Sequence, residues 1–244
     1  MKKSRTTALI GMVFAAAFFI SSSAQAGGAA PGEGYYVGAF LGHGTGIVQA
    51  EVTSFPTNNG AGRRGTFESD RGGLGLSGIQ GGLWAGWGMR TADDLYFGAE
   101  ISGAGSDEKI ELTSSVGLQD NDGESITSAT AQRKWQAGGA LRVGYYVNSE
   151  TLLALSGGVA VSQFDVDIGS KNETYYAGGP QVGASITTQL SKIDPNLGLR
   201  MEFVYTNYLT AEINGMDNLG QNTGNDSEVT GHDTAGRIGV TYRF

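Results

Sequence analysis

Polar and apolar side chains alternate along almost the whole chain, and they do so with a period of two. Eight segments carry the pattern: "GYYVGAFLGHG", "GGLWAGWGM", "LYFGAEISG", "WQAGGALRVGYYV", "TLLALSGGVAVSQFDV", "YYAGGPQVGASITTQL", "LGLRMEFVYTNYLTAEI" and "HDTAGRIGVTYRF". Side chains of an extended chain point alternately to opposite faces, so such alternation predicts strands, and no segment shows a helical period. The connections also alternate. "RTADD", "NSE" and "KIDPN" are tight turns. "TSFPTNNGAGRRGTFESDR", "TSSVGLQDNDGESITS", "GSKNET" and "NGMDNLGQNTGNDSEVTG" read as longer polar loops. Short turns at one end and long loops at the other are the plan of an up-and-down membrane barrel.

The two faces of each strand decide which kind of barrel. One face carries Tyr35, Val37, Ala39 and Leu41, then Leu95, Phe97, Ala99 and Ile101, then Leu141, Val143, Tyr145 and Val147. The other carries Gly38, Gly42, Gly98, Glu100, Ser102, Gly138, Arg142, Gly144, Gln181, Gly183, Ser185, Arg200, Glu202 and Arg237. A soluble barrel turns its apolar face inward. With about eight strands, glycine and charge together instead fit a narrow polar lumen, because charge facing lipid costs several kcal/mol. The expectation is an all-β, eight-stranded antiparallel up-and-down transmembrane barrel with the charged face inside.

The aromatic residues set its orientation. With the short turns in the periplasm, Tyr35, Trp87, Phe97, Tyr145, Tyr242 and Phe244 fall on the outward face near the periplasmic rim, as a girdle at the lipid–water boundary. Tyr36, Phe40, Trp84, Tyr96 and Tyr146 fall on the inward face, where they would fill the lumen. Two places break the pattern: Pro180 lies inside the sixth strand and "LGLSGIQ" slips phase near Gly78, so both are expected to hold bulges.

The N-terminus explains how such a chain leaves the cytoplasm. Lys2, Lys3 and Arg5 precede the apolar "ALIGMVFAAAFFI", and "SSSAQA" supplies small residues at Ala24 and Ala26. This is the layout of a signal peptide over residues 1–26, leaving 27–244 as a single barrel domain. Removing those three basic residues takes the formal charge from −8 to −11. An acidic chain offers no clustered Lys and Arg, which argues against nucleic acid as a partner. There is no cysteine, so no disulfide contributes.

Together the leader, the first strand "GYYVGAFLG" and the terminal "VTYRF" resemble the OmpA-like eight-stranded outer-membrane β-barrel family, whose small members are also grouped with porins. The resemblance covers the whole mature chain. It implies the bacterial outer membrane as location, with outer-membrane lipid and lipopolysaccharide around the wall. It also implies that Val240, Tyr242 and Phe244 form the signal read by the barrel assembly machinery. The motif specifies targeting and fold, not activity.

Candidate chemistry is sparse. Glu100, Arg142, Glu202 and Arg237 lie at similar heights, so neighbouring strands set Glu100 against Arg142 and Glu202 against Arg237 as interior charge pairs. Only two histidines are present, His43 and His232. In "HDT" the acid and the histidine point to opposite faces, which spoils a catalytic triad. "DNDGE" lacks the spacing of a calcium loop, and "GRRG" is weak evidence for phosphate contact. The expectation is no catalytic, cofactor or metal site. Function falls to a plugged barrel serving envelope integrity, with outer loops that meet a host or phage surface ligand. The alternative is a narrow porin-like channel for small solutes.

Overall fold

The structure, a computed structural model, describes residues 30–52, 67–68, 74–119, 125–168, 171–212 and 228–244. Ten strands account for nearly all of them. They are β1 (Gly34–Val52), β2 (Phe67–Glu68), β3 (Leu74–Arg90), β4 (Leu95–Ser106), β5 (Lys109–Gln119), β6 (Ser125–Asn148), β7 (Thr151–Ile168), β8 (Lys171–Gln189), β9 (Leu197–Glu212) and β10 (Glu228–Arg243). The ladder runs β1-β10-β9-β8-β7-β6-β4-β3 and closes through a β3–β1 pairing, every contact antiparallel. β2 is a short ladder on the end of β1, and β5 continues the wall position of β4 above Asp107 and Glu108. The wall therefore has eight positions, and the fold is a closed eight-stranded antiparallel barrel. Closure gives each wall strand a neighbour on both sides, the condition for placing strands in hydrocarbon, where an unpaired backbone group costs several kcal/mol.

Burial follows the alternation. Tyr36, Phe40, Trp84, Tyr96 and Tyr146 are buried inside, whereas Leu41, Ile101, Leu141, Leu155 and Val159 are each more than 60% exposed on the outside. A soluble protein does not expose a continuous apolar wall of this size; a bilayer covers it. On β6 the apolar outward stretch from Tyr145 to Trp135 has the roughly 9–11 residues that a tilted strand needs to cross the hydrocarbon. Tyr35 opposes Trp87, Val37 opposes Tyr242, and the Phe244 N–H donates to the Tyr35 carbonyl at 3.1 Å. A second, outer belt goes unnoticed in the sequence: Trp135 and Tyr176 lie 6.1 Å apart on either side of Gln163, with polar Lys134, Asp165 and Thr174 beyond them.

Three expectations need correction. Pro180 holds no bulge: it sits opposite Val159 in an unbroken β7–β8 register, facing out. Its missing N–H shows on the other side, where the β8–β9 ladder begins only at Gln181. Gly78 is likewise in register with Gly44, and the irregularity belongs to the neighbouring strand, which departs at Asp107 and Glu108. A Cβ on Gly78 would lie 2.6 Å from the Glu108 Cα, so glycine makes room for the departing backbone. Finally, parts of the polar stretches taken for loops are strand, including 113–119, 125–128, 171–174 and 228–231. Polar residues do not prevent strands where the chain stands in water rather than lipid. The leader, "GRRG" and "DNDGE" lie outside the described residues.

Candidate functional site

Among the described residues, the lumen is where charged side chains are concentrated and buried. Its inner tier centres on Arg200 of β9. The guanidinium donates to Glu100 of β4 at 2.5 and 3.0 Å and to Glu202, two residues along its own strand. With eight wall positions, β4 and β9 face each other across the barrel, so this contact spans the lumen. Arg142 of β6 stands 3.3 Å from the same Glu100 carboxylate and also donates to Tyr36 and Ser185, each at 3.0 Å. The Tyr36 hydroxyl donates to Glu100 at 2.8 Å. Arg237 of β10 is 3.7 Å from Glu202 and donates to Gln136 at 3.0 Å.

Aromatic rings cover the cations from the sides. Arg200 lies over Trp84 at 4.4 Å and Arg237 over Phe40 at 4.8 Å, and the two rings stack 5.0 Å apart. A guanidinium on an aromatic face in a dry site is held by the ring quadrupole as well as by its carboxylate. Glycine makes this packing fit, since a Cβ on Gly38 would overlap the Trp84 indole.

The outer tier has a different design. Arg133 of β6 pairs with Glu108, and with Asp233 of β10 at 2.6 Å. β6 and β10 also face each other, so this bridge crosses the lumen a second time. Arg133 donates to Tyr208 at 3.3 Å, Tyr208 shares a 2.8 Å hydrogen bond with Ser162, and Gln181 donates to Thr206 at 3.0 Å. Above them Phe164 stacks on Tyr175 at 5.2 Å and meets Tyr208 edge-on at 5.3 Å, an aromatic cap on the outer mouth.

Arg133 reaches the lumen through a bulge. On β6 the even residues Gln136, Arg142 and Tyr146 face inward, and strict alternation would send Arg133 to lipid. The β6–β7 register shifts by one residue between Arg133 and Trp135, leaving Lys134 as the extra residue. Arg133 turns in and is 1% exposed, while Lys134 and Trp135 both turn out. Re-aiming one side chain is what a bulge does.

The structure thus brings Glu100, Arg142, Glu202 and Arg237 into one network rather than two separate pairs, with Arg200 as the hub between them. Arg200 stands on the polar face in the sequence, but nothing there says that it reaches across the barrel. In the outer tier Gln181 and Asp233 also stand on the inward parity of their strands, but Arg133, the cation on which the tier depends, stands on the outward parity and has no signal in the alternation. His43 lies on the outer wall, 3.4 Å from Ser77, and His232 tilts against Tyr205. Asp233, next to His232, is buried and committed to Arg133.

No protein-family model matches the chain, and no curated protein matches its sequence. Solved structures do match. OprG from Pseudomonas aeruginosa, an outer-membrane protein, is 18% identical over 87% of this chain and 96% of that one, with a TM-score of 0.51. Neisserial surface protein A is 14% identical over 87% and 98%, TM-score 0.47. OmpT from Escherichia coli, described as an outer-membrane protease, is 10% identical over 88% and 98%, TM-score 0.47. At 18% identity the likeness to OprG speaks for the fold alone, and the apolar outer wall speaks for the medium. The chain therefore folds as a closed eight-stranded antiparallel β-barrel, as OprG does, with an outer wall suited to lipid.

Proposed function

We propose that the barrel is a plugged membrane anchor that serves envelope integrity and presents its outer loops to a surface ligand of a host or phage. The observation that carries this reading is the pair of ion bridges between opposite walls, Glu100–Arg200 and Arg133–Asp233. A barrel of about eight strands has a lumen that side chains can fill, whereas open aqueous channels are typical of about sixteen. Four arginines and four carboxylates at two heights, with aromatic rings between and above them, support a lumen without a wide water path. The wall contacts lipid and lipopolysaccharide, and Val240 and Tyr242 on the last strand, with Phe244 just past its end, present the assembly machinery with its signal. The anchor is non-enzymatic in this reading: both histidines are on the outer wall, and the acid beside His232 is held by an arginine.

A second reading, the narrow channel, is favoured by Gln80. It is 1% exposed and, among the described residues, neither of its amide atoms has a partner, nor has Asp233 Oδ1. Buried polar atoms of this kind are commonly served by internal water. Planar-bilayer recording separates the two. The anchor predicts no large, steady current from the wild-type protein and more leakage in Arg142→Glu, which sets like charges side by side at Glu100. A stable, ion-selective wild-type current, with uptake of small solutes into liposomes, would replace the anchor with the channel.

A further inference from the structure

The periplasmic mouth is filled by the chain's own N-terminal turn. Ala30, Pro31 and Gly32 are buried, although they precede the first strand. The turn is closed locally by Glu33, whose N–H donates to the Ala30 carbonyl at 3.1 Å and whose carboxylate accepts from the Ala30 N–H at 3.1 Å. Gly32 and Gly34 have φ of +81° and +77°, a left-handed backbone that admits the sharp reversal into β1 and that other residues adopt only under strain. Gly32 also lies so close to the lumen floor that a Cβ there would stand 3.2 Å from the Tyr96 ring and 3.3 Å from Leu152.

The contacts of this turn reach around the mouth. Ala30 packs in one buried cluster with Tyr96 of β4, Tyr146 of β6, and Leu152 and Ala154 of β7. The Tyr146 hydroxyl donates to the Pro31 carbonyl at 2.8 Å. Arg243, at the end of β10, donates to the Ala30 carbonyl at 3.1 Å and to Asn196 Oδ1 at 2.9 Å. β1 and β10 are the first and last strands of the chain, and their pairing joins its two ends into the closed wall. Strand pairing alone does not require the residues before Gly34 to enter the lumen. Their specific contacts with four wall strands do more than lead into β1.

We propose that residues 30–33 form a latch that shuts the periplasmic mouth and ties the two ends of the chain together at the β1–β10 seam. The latch extends the plugged reading to the periplasmic end, yet the two can fail separately. Ion tiers without a latch would leave conductance blocked but the inner vestibule open to reagents.

The absence of cysteine makes the test direct. Ala154→Cys places one thiol in the cluster beneath the latch, in an otherwise unreactive chain. The protein, in liposomes and exposed on its periplasmic side to a small cationic methanethiosulfonate reagent, is compared with the same variant lacking residues 27–33. Retention of the heat-dependent gel shift reports a closed barrel in each. The full-length chain is expected to react slowly and the truncated one at least about tenfold faster, since a site reached only by local opening reacts in proportion to its open population. Gly32→Val, which keeps the chain length but cannot seat the turn, should accelerate labelling in the same direction and stands in for the truncation if that chain does not fold. Rapid labelling of the introduced thiol in the full-length protein, or equal rates with and without the turn, would overturn the latch.

Discussion

The inner tier of the lumen spreads five charged side chains over four strands, and each of its carboxylates touches more than one arginine. Glu100 is shared by Arg200 and Arg142, and Glu202 by Arg200 and Arg237. The outer tier inverts this ratio: Glu108 and Asp233 converge on the single guanidinium of Arg133. Both tiers cross the barrel between opposite walls and both are buried. They differ in redundancy. Losing one cation from the inner tier leaves another within reach, whereas losing Arg133 removes the group on which both outer carboxylates converge. An unpaired charge in a buried site costs far more than a pair contributes, so the sparse tier is the fragile one.

The largest effect should follow from breaking the outer tier. Arg133→Met keeps an unbranched stem but deletes the guanidinium and its charge, leaving two buried carboxylates to repel one another. The expected loss is about 3–5 kcal/mol, read as a lower urea midpoint for the folded band in detergent. Adding Glu108→Gln and Asp233→Asn should recover most of it, because neutral amides need no counter-ion. Deleting Lys134 is the counter-test, because it changes none of the tier's members. It removes the extra residue of the bulge and sets Arg133 directly beside Trp135, so strict alternation is restored with Arg133 still facing in and still opposite Phe164. A much smaller loss than that of Arg133→Met is expected. A deletion as damaging as Arg133→Met would mean that the bulge itself, and not the charge it admits, sustains the outer tier.

The bulge also marks where reading the sequence stops. Alternation suffices for the strands, for the inward aromatic residues Tyr36, Phe40, Trp84, Tyr96 and Tyr146, and for the face on which Glu100, Arg142, Arg200, Glu202 and Arg237 stand, because all of these depend only on the parity of an unbroken strand. Arg133 is invisible to that rule, since one inserted residue reverses parity above it, and nothing in "QRKWQ" says which residue is the extra one. Contacts across the barrel are hidden for another reason. Neighbouring strands are adjacent in the chain plan, so Glu100 against Arg142 follows from topology, but the reach of Arg200 to Glu100 depends on lumen diameter and on the glycines that let Trp84 lie flat beneath it. Pro180 teaches the converse. A proline inside a strand signals a missing hydrogen bond, and the ladder responds by starting one residue later rather than by bulging.

Double-mutant cycles sharpen the comparison within the inner tier. Glu100 with Arg200 should couple more strongly than Glu100 with Arg142, since Arg200 donates two hydrogen bonds to that carboxylate and Arg142 stands farther off with Tyr36 and Ser185 to share. Coupling of about 2–3 kcal/mol for the first and about 1 kcal/mol for the second fits the range found for residues in one buried network. Equal couplings would make Arg200 and Arg142 interchangeable and remove the hub.

The smallest effect is expected at Glu202→Gln. Glu202 has two cationic neighbours, but they are held elsewhere as well: Arg200 by Glu100 and the face of Trp84, Arg237 by Gln136 and the face of Phe40. The amide oxygen of glutamine can still accept the hydrogen bond that Arg200 gives, so no donor loses its partner. What changes is one negative charge in a lumen of four arginines and four carboxylates, and Arg237, 3.7 Å away, feels most of that change. The cost should stay near 1 kcal/mol, the typical net worth of one hydrogen bond and well below that of stranding a buried charge. Arg133→Met and Glu202→Gln, measured side by side in the same lipid, therefore test redundancy itself. If the two fall within error of each other, charge count alone governs the lumen, and the contrast between a shared and a solitary cation has no energetic content.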